Sequence, residues 1–368
     1  MDRANLALAE YLLELKAPVY MVAHEVEASL AKHPLAHVRI VPRTAGSYML
    51  AEIPLGFHGR RTARRVLRQW PQAQVVVNGG NCIWPGINWV HCVHQAWPAP
   101  PAGSAPWLFR IKGASARSLD RRKERRAFRC ARLLITNSER TSRDVRASAG
   151  VDPSRVHTVY LGADPDWASV TCAERAASRQ SMEIPESRTV ASFVGALGYD
   201  HNKGFDKLFR AWEELCARPD WDVDLLAAGS GPALPMWQNR VHQAGLGGRI
   251  RLLGFSEQVK SLLAASDVLV SPVRYEAYGL NVHEAICLGI PAMVSRSAGI
   301  AERYPSDLRP MLIPDPEDVG DLVGRLLDWR ARKEDWKVRF APFADRLRSR
   351  SWRDMAVDIV SFASQKGV

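Results

Sequence analysis

In the stretch RYEAYGLNVHEA, Arg274 to Ala285, two glutamates stand eight positions apart around a glycine. An ionised carboxylate only accepts hydrogen bonds, so Glu276 and Glu284 suit donors such as the hydroxyls of a sugar or a ribose. Gly279 between them lets the backbone approach a ligand closely. Asn281 could cap the helix that follows and Glu284 could return the bond three residues later, a capping-box arrangement that would give Glu284 a structural role. No such role falls to Glu276. A carboxylate beside an anion-seeking helix start repels phosphate, which leaves hydroxyls as its natural partners. Two carboxylates with a helix N-terminus between them fit a ligand bearing both hydroxyls and phosphates, and a sugar nucleotide is such a ligand.

Two earlier turns have related chemistry. In ASFVGALGYDHNKGFDKLFRAWEEL a strand ends at Gly195, and a helix starts near Phe205 with Leu208, Phe209, Trp212 and Leu215 spaced to face a core. The loop between them carries Lys203, a point charge for phosphate at the place where helix N-termini face the ends of parallel strands. LLAAGSGPALPMW repeats the arrangement with Gly229 and Gly231. Leu234 stands where G-x-G-x-x-G requires its last glycine, so a nicotinamide cofactor is not indicated.

These turns need a frame that lines up strand ends. Short β-branched runs alternate with helix-length segments along the chain, the pattern of parallel sheets covered by helices. Strands are expected near PVYMVAH, HVRIVP, QVVVNG, NWVHCVH, RLLITN and HTVYLG in the first half. In the second half they are expected near VASFVG, DVDLLAAG, RIRLLG, DVLVSP, PAMVS and MLIP. The polar stretch 166–187 has no sustained periodicity and reads as a linker. It divides the chain into two doubly wound α/β domains, residues 1–165 and 188–345. Trp352, Ala356, Ile359, Val360 and Ala363 share one helical face, so a closing helix is expected within 346–368, packing back on the N-terminal domain.

A chain of 368 residues is long enough for two such cores. It contains no apolar run of membrane-spanning length. Six cysteines without a Cys-x-x-Cys pair are expected to be free thiols of a reducing, cytoplasmic compartment. The net charge of +11 is unevenly placed: residues 1–165 hold 24 Lys/Arg against 12 Asp/Glu, whereas the remainder hold 26 against 27. Arg60, Arg64 and Arg68 form one stripe at i, i+4 spacing, and Arg117, Arg121 and Arg125 another. Such stripes suit an anionic membrane surface or a solvated helix face. No nucleic-acid-binding motif accompanies them, so nucleic acid is not an expected partner.

Glu-x7-Glu in EAYGLNVHE, followed by AICLGIPAMVS, resembles the donor-site signature of retaining family 4 glycosyltransferases, which have the GT-B fold. FVGALGYDHNKGFDKLFRAW, AAGSGP, RIRLLGF and LLITNSERTSRDV with VHTVYLGAD look like further segments of that family in the expected order. The resemblance implies two Rossmann-like domains facing a cleft. It also implies transfer of a sugar from a UDP-, GDP- or ADP-sugar to a hydroxyl of a glycan or lipid-linked saccharide, without a metal ion. Carried over, Glu284 binds the ribose hydroxyls, and Glu276 contacts the transferred sugar. The backbone of Tyr278, Gly279, Leu280 and Asn281 borders the donor. Lys203 holds the leaving diphosphate, stabilising the charge that develops as the bond breaks. Residues 252–255, Leu253 among them, lie near the base, and Gly195 and Gly231 permit close backbone approach. The family's N-terminal domain supplies a histidine to the reacting sugar. NWVHCVHQAW offers His94 or His91, with His94 preferred at the strand end.

This chain departs from the family pattern in two places. Ala196 stands where members often carry a second diphosphate-binding arginine, a loss that Arg274 could compensate. Members also open with a strand and a glycine-rich loop ahead of the helix that DRANLALAEYLLELKAP resembles. An N-terminal domain lacking its first strand is therefore expected, with Met1 an internal methionine or the chain truncated. The alternatives are a catalytically impaired member that only binds sugar nucleotides, a sugar-nucleotide epimerase, or a pyridoxal-dependent phosphorylase. Asp164 and Asp166 in DPD are not expected to bind metal. Trp84, Trp89, Trp97 and Trp107 suit either an acceptor held at an anionic membrane or anchors in core and loops.

Overall fold

The computed structural model describes residues 2–43, 48–98 and 105–365. Met1, on which the expectation about the chain start rests, lies outside them. The chain divides into two compact units: Met1–Ala96, Trp107–Gly162 and Arg350–Val368 form the first, and Trp97–Pro106 with Ala163–Ser349 the second. Every strand pairing among the described residues is parallel.

The first unit runs α1 (Asp2–Glu14), β1 (Val19–Ala23), α2 (Ala28–Ala31), β2 (Ala36–Ile40), α3 (Tyr48–Gln69) and β3 (Val76–Asn78). It continues with β4 (Ile87–Val90), α4 (Trp107–Cys130), β5 (Leu133–Thr136), α5 (Glu139–Ala149) and β6 (Val156–Thr158). Its six strands form two sheets, β1-β2 and β3-β4-β5-β6, and no strand among the described residues joins them. β4 and β5 are buried along their whole length, as expected of parallel strands covered on both faces. Val90 and Leu134 from these strands share a core with Phe128 of α4 and Val145 of α5.

The second unit follows as α6 (Cys172–Ser181), β7 (Thr189–Val194), α7 (Phe205–Cys216), β8 (Val223–Ala228), α8 (Leu234–Gln243), β9 (Ile250–Gly254) and α9 (Val259–Ala265). Next come β10 (Val268–Ser271), α10 (Leu280–Cys287), β11 (Ala292–Ser295), β12 (Leu312–Ile313), α11 (Val319–Ala331) and α12 (Lys333–Arg348). The strand order is β12-β11-β10-β7-β8-β9, so the winding reverses between β7 and β10. The crevice beyond the carboxyl ends of those two strands is where open sheets of this kind bind ligands. The packing face of α7 is the expected one: Phe205, Leu208, Phe209, Trp212 and Leu215 are buried. Each contributes about 1.5–3 kcal/mol relative to an exposed side chain.

Two boundaries differ from the sequence reading. The supposed linker 166–187 contains α6, started by a capping box between Thr171 and Glu174 and packed on α9. Its inward residues are polar: Arg179 is completely buried and donates to the carbonyls of Ala265 and Pro185 at 2.8 and 2.7 Å. A helix anchored by a guanidinium shows no apolar periodicity. The C-terminal segment breaks at Ser349–Ser351, so α12 stays with the second unit and α13 (Trp352–Gln365) belongs to the first. There Arg353 of α13 reaches Glu14 of α1 at 3.2 Å and lies over the Tyr11 ring.

Gly204 is dictated by space. With φ of 75° at the start of α7, it lies so close to the Pro272 carbonyl that an added Cβ would stand 1.9 Å from the carbonyl oxygen. Gly204→Ala should cost on the order of 2–4 kcal/mol, because backbone strain and a backbone clash act together. A fall in the urea midpoint at unchanged m-value is the expected reading.

Candidate active site

The contact at Gly204 presses the loop after β7 against the loop after β10. Asn202, buried, donates to the Tyr275 carbonyl at 2.9 Å, and the Arg274 N–H donates to the Asn202 carbonyl at 2.8 Å. Lys203, between Asn202 and Gly204, is thereby delivered to Glu276, and its Nζ makes an ion pair with Oε2 of Glu276. The two groups remain partly open, at 30 % and 22 % side-chain exposure. Glu276 is itself held in register by a parallel bridge to Ala298 and by the Gly299 N–H on its carbonyl at 3.0 Å.

Glycines line the neighbouring turns for the expected reason. A Cβ on Gly195 would meet Lys203 Cγ at 3.1 Å, and one on Gly231 would stand 2.3 Å from the Leu197 carbonyl oxygen. Gly229 fits still more closely, with 1.8 Å to the Gly195 carbonyl oxygen. Helix α10 begins at Gly279, which has φ of 106° and supplies no capping side chain. Asn281 is not the cap. Its side-chain amide donates to the Val194 carbonyl at 2.9 Å, pinning the first turn of α10 to the end of β7. The capping-box reading of Glu284 therefore fails, and its carboxylate stands half-buried one turn inside the helix. Leu280 opens α10, whereas the Tyr278 ring is buried, with its hydroxyl 2.7 Å from His283 Nδ1. Burial pushes the His283 imidazole down to about 3, so the ring is neutral and holds a single proton, either on Nδ1 in the contact with the Tyr278 hydroxyl or on its own buried Nε2. Only the backbone of Tyr278 is offered at this edge. Leu253 packs against the core at the end of β9, and Phe255 beyond it is 74 % exposed.

Arg274 departs from its expected role. Its guanidinium, 7 % exposed, makes a two-pronged pair with Asp206 at 2.7 and 2.8 Å and a second ion pair with Glu317 at 2.5 Å. Burial works against its charge, and the hydrogen bonds from Asp206 and Glu317 outweigh it, holding the guanidinium pKa above its ordinary value. Arg274 braces α7 against the β10 loop and does not serve as a spare diphosphate cation.

In the first unit the two candidate histidines differ sharply. His91 has a buried Nε2 without a partner, and burial lowers its pKa to about 3, marking a neutral structural ring beside Trp89. His94 sits just beyond β4 and is clasped by Glu124 of α4. One carboxylate oxygen accepts the His94 backbone N–H at 2.8 Å, and the other meets Nδ1 at 2.6 Å. Glu124 is buried, whereas His94 is 32 % exposed. The Glu124 hydrogen bond raises the His94 pKa above the ordinary 6.5, with burial opposing it. Cys92 brings its sulfur into the same group, all three potential ligand atoms lying within 4.8 Å, but both Glu124 oxygens are already engaged by His94. Glu124 was hidden in the basic run RRKERRAFR, yet it occupies the buried stripe with Ala127, Phe128 and Ala131 at i, i+3, i+4, i+7. An acid on an apolar face was the available signal. Asn202 and Gly204, on either side of Lys203, were likewise missed. Of the tryptophans, Trp89 is core and Trp107 is 66 % exposed.

Residues 1–167 match the family described as Glycosyltransferase Family 4, and residues 188–328 match that described as Glycosyl transferases group 1. The chain belongs to the family 4 glycosyltransferases. It is 28 % identical over 269 residues to D-inositol 3-phosphate glycosyltransferase 2 of Catenulispora acidiphila, covering 68 % of this chain and 62 % of that protein. It is 30 % identical over 211 residues to 2-deoxystreptamine glucosyltransferase of Streptomyces kanamyceticus, covering 56 % of this chain and 54 % of that one. The chain thus spans little more than half the length of these relatives. The solved structure of WaaG, a glycosyltransferase involved in lipopolysaccharide biosynthesis, is similar with a TM-score of 0.73 at 20 % identity, covering 97 % of this chain and 95 % of that one. The fold is GT-B, with two Rossmann-like domains.

Arg274→Ala should lower stability by about 3 kcal/mol, because Asp206 loses its partner in a poorly solvated place. A free diphosphate cation would instead cost turnover at unchanged stability, so denaturant unfolding and turnover of one variant separate the two roles. For His94, a raised pKa means that pairing with Glu124 stabilises the fold fully below 6.5 and that this contribution is lost as pH climbs through the raised value. Glu124→Gln should bring the His94 titration, followed by imidazole proton NMR, down to or below 6.5. An unmoved titration would show that Glu124 does not govern His94.

Proposed function

We propose that the protein transfers a sugar from a nucleoside diphosphate sugar to a hydroxyl acceptor, with retention at the anomeric carbon. The Lys203–Glu276 pair at the switch point between β7 and β10 carries this reading. An ammonium placed there meets the diphosphate as the glycosidic bond breaks, and the start of α10 adds backbone N–H groups to the same charge. The donor must displace Glu276 from Lys203. That frees a carboxylate beside the diphosphate, where it accepts hydroxyls of the transferred sugar. Glu284 takes the ribose hydroxyls, and exposed Phe255 offers a face for the base. His94, held by Glu124 at Nδ1, is the histidine assigned to the reacting sugar on this reading. The charge on the leaving group is assigned to these residues without a metal ion. Relatives named for D-inositol 3-phosphate and 2-deoxystreptamine support a hydroxyl-bearing acceptor, a glycan or lipid-linked saccharide among the candidates.

A thermal-shift and hydrolysis screen against UDP-, GDP- and ADP-sugars in the presence of EDTA tests this. One nucleotide class should raise the melting temperature and be turned over. With it, Lys203→Ala should lower kcat by roughly 10²-fold or more, as loss of a charge-stabilising group does. Glu284→Gln should act on KM, weakening the donor by about 1–3 kcal/mol through an unmatched ribose hydroxyl. Silence of all three nucleotide classes would refute the reading.

A further inference from the structure

Helix α3 and strand β2 of the first unit flank an open groove of about 510 Å³ that the proposed reaction does not use. Six arginines line it: Arg39 from β2, and Arg60, Arg61, Arg64, Arg65 and Arg68 from α3. The helical five recur at i, i+1, i+4, i+5 and i+8, so they share one broad face. None of the six forms an ion pair with a carboxylate among the described residues. The acid on the same helix, Glu52, is engaged elsewhere, by Lys123 of α4 at 2.6 Å. Like charges at i, i+4 repel, so this face raises the free energy of the helix that carries it unless an anion gathers the charges.

We infer that this groove is a binding site for a ligand bearing two or more phosphate groups on an organic body. A guanidinium presents paired N–H donors in a rigid fork, and a phosphate has enough oxygens and charge to satisfy several forks at once. A carboxylate satisfies one. The volume is that of a small-molecule pocket and exceeds what a single phosphate fills. Phe57 lines the same wall and is 54 % exposed, which supplies an apolar contact for whatever carries the phosphates. The site lies in the first unit, whereas the donor residues lie in the second, so it stands or falls independently of the donor assignment.

Two probes distinguish a soluble ligand from a lipid headgroup. Inorganic tripolyphosphate is titrated calorimetrically at low salt, and vesicles containing a phosphatidylinositol bisphosphate or phosphatidylserine are tested by flotation. The variant Arg61→Gln/Arg65→Gln is compared with Arg122→Gln/Arg126→Gln, which removes the same charge from equally exposed positions on α4, outside the groove. Thermal melting verifies that both remain folded. The expected result is tripolyphosphate binding weakened about tenfold or more in the α3 variant and little changed in the α4 variant, as loss of charge-assisted forks predicts. Flotation with the phosphatidylinositol bisphosphate but not phosphatidylserine, lost in the α3 variant, assigns the phosphates to a lipid headgroup. Equal weakening in both variants, equal flotation with both lipids, or no binding of either probe overturns the site.

Discussion

Gly204 meets the carbonyl of Pro272 with no room for a side chain, and that backbone contact decides where the rest of the donor edge stands. It fixes the loop after β7 against the loop after β10, and Lys203, one residue earlier, inherits the position. Asn202 and Arg274 tie the same two loops from either side. A site assembled by backbone contacts loses less conformational freedom on binding than one assembled from long side chains. The ion pair of Lys203 with Glu276 is thus a consequence of loop geometry rather than its cause.

Much of this architecture was legible because it is apolar. β-Branched runs marked the strands, and the spacing of Leu208, Phe209, Trp212 and Leu215 gave the buried face of α7. Buried charge was not legible. Arg179 anchors α6 and Arg274 braces α7 from places that a hydropathy pattern assigns to solvent, and Glu124, though it shares an apolar face, clasps a residue that the pattern does not connect with it. A charged side chain is buried only when specific partners satisfy it, and those partners come from distant segments. For Arg274 they are Asp206 and Glu317, for Glu124 the imidazole and N–H of a residue thirty positions back.

Arginine has opposite uses in the two units. In the second it is folded into intramolecular forks: Arg188 and Arg249 share Asp224, Arg330 takes Asp222, and Arg325 takes Asp321. Exposed pairs of this kind add little stability, but they cancel one another's field. On α3 the guanidinium forks have no carboxylate partners among the described residues. At physiological ionic strength a charge is screened within about 8 Å, so this difference is felt by a ligand that enters the groove and much less by one at a distance.

The placement of Glu284 answers a conflict built into any site that must take both phosphate and hydroxyl. Gly279 turns left-handed and leaves the start of α10 without a capping side chain, and a Cβ there would press on Ile300 Cγ2 at 3.0 Å. The first N–H groups of the helix are therefore not covered by the residue that opens it. A carboxylate at 280 or 281 would occupy the same space and repel the anion that those groups attract. Side chains on a helix lean toward its N-terminus, so an acid one turn further in is offset from the opening N–H groups by its place in the sequence. Asn281 spends its amide on the Val194 carbonyl and so holds that first turn still. On the proposed reading, phosphate and ribose would then be served by one helix end, with the acid set one turn in from the positive end of the dipole.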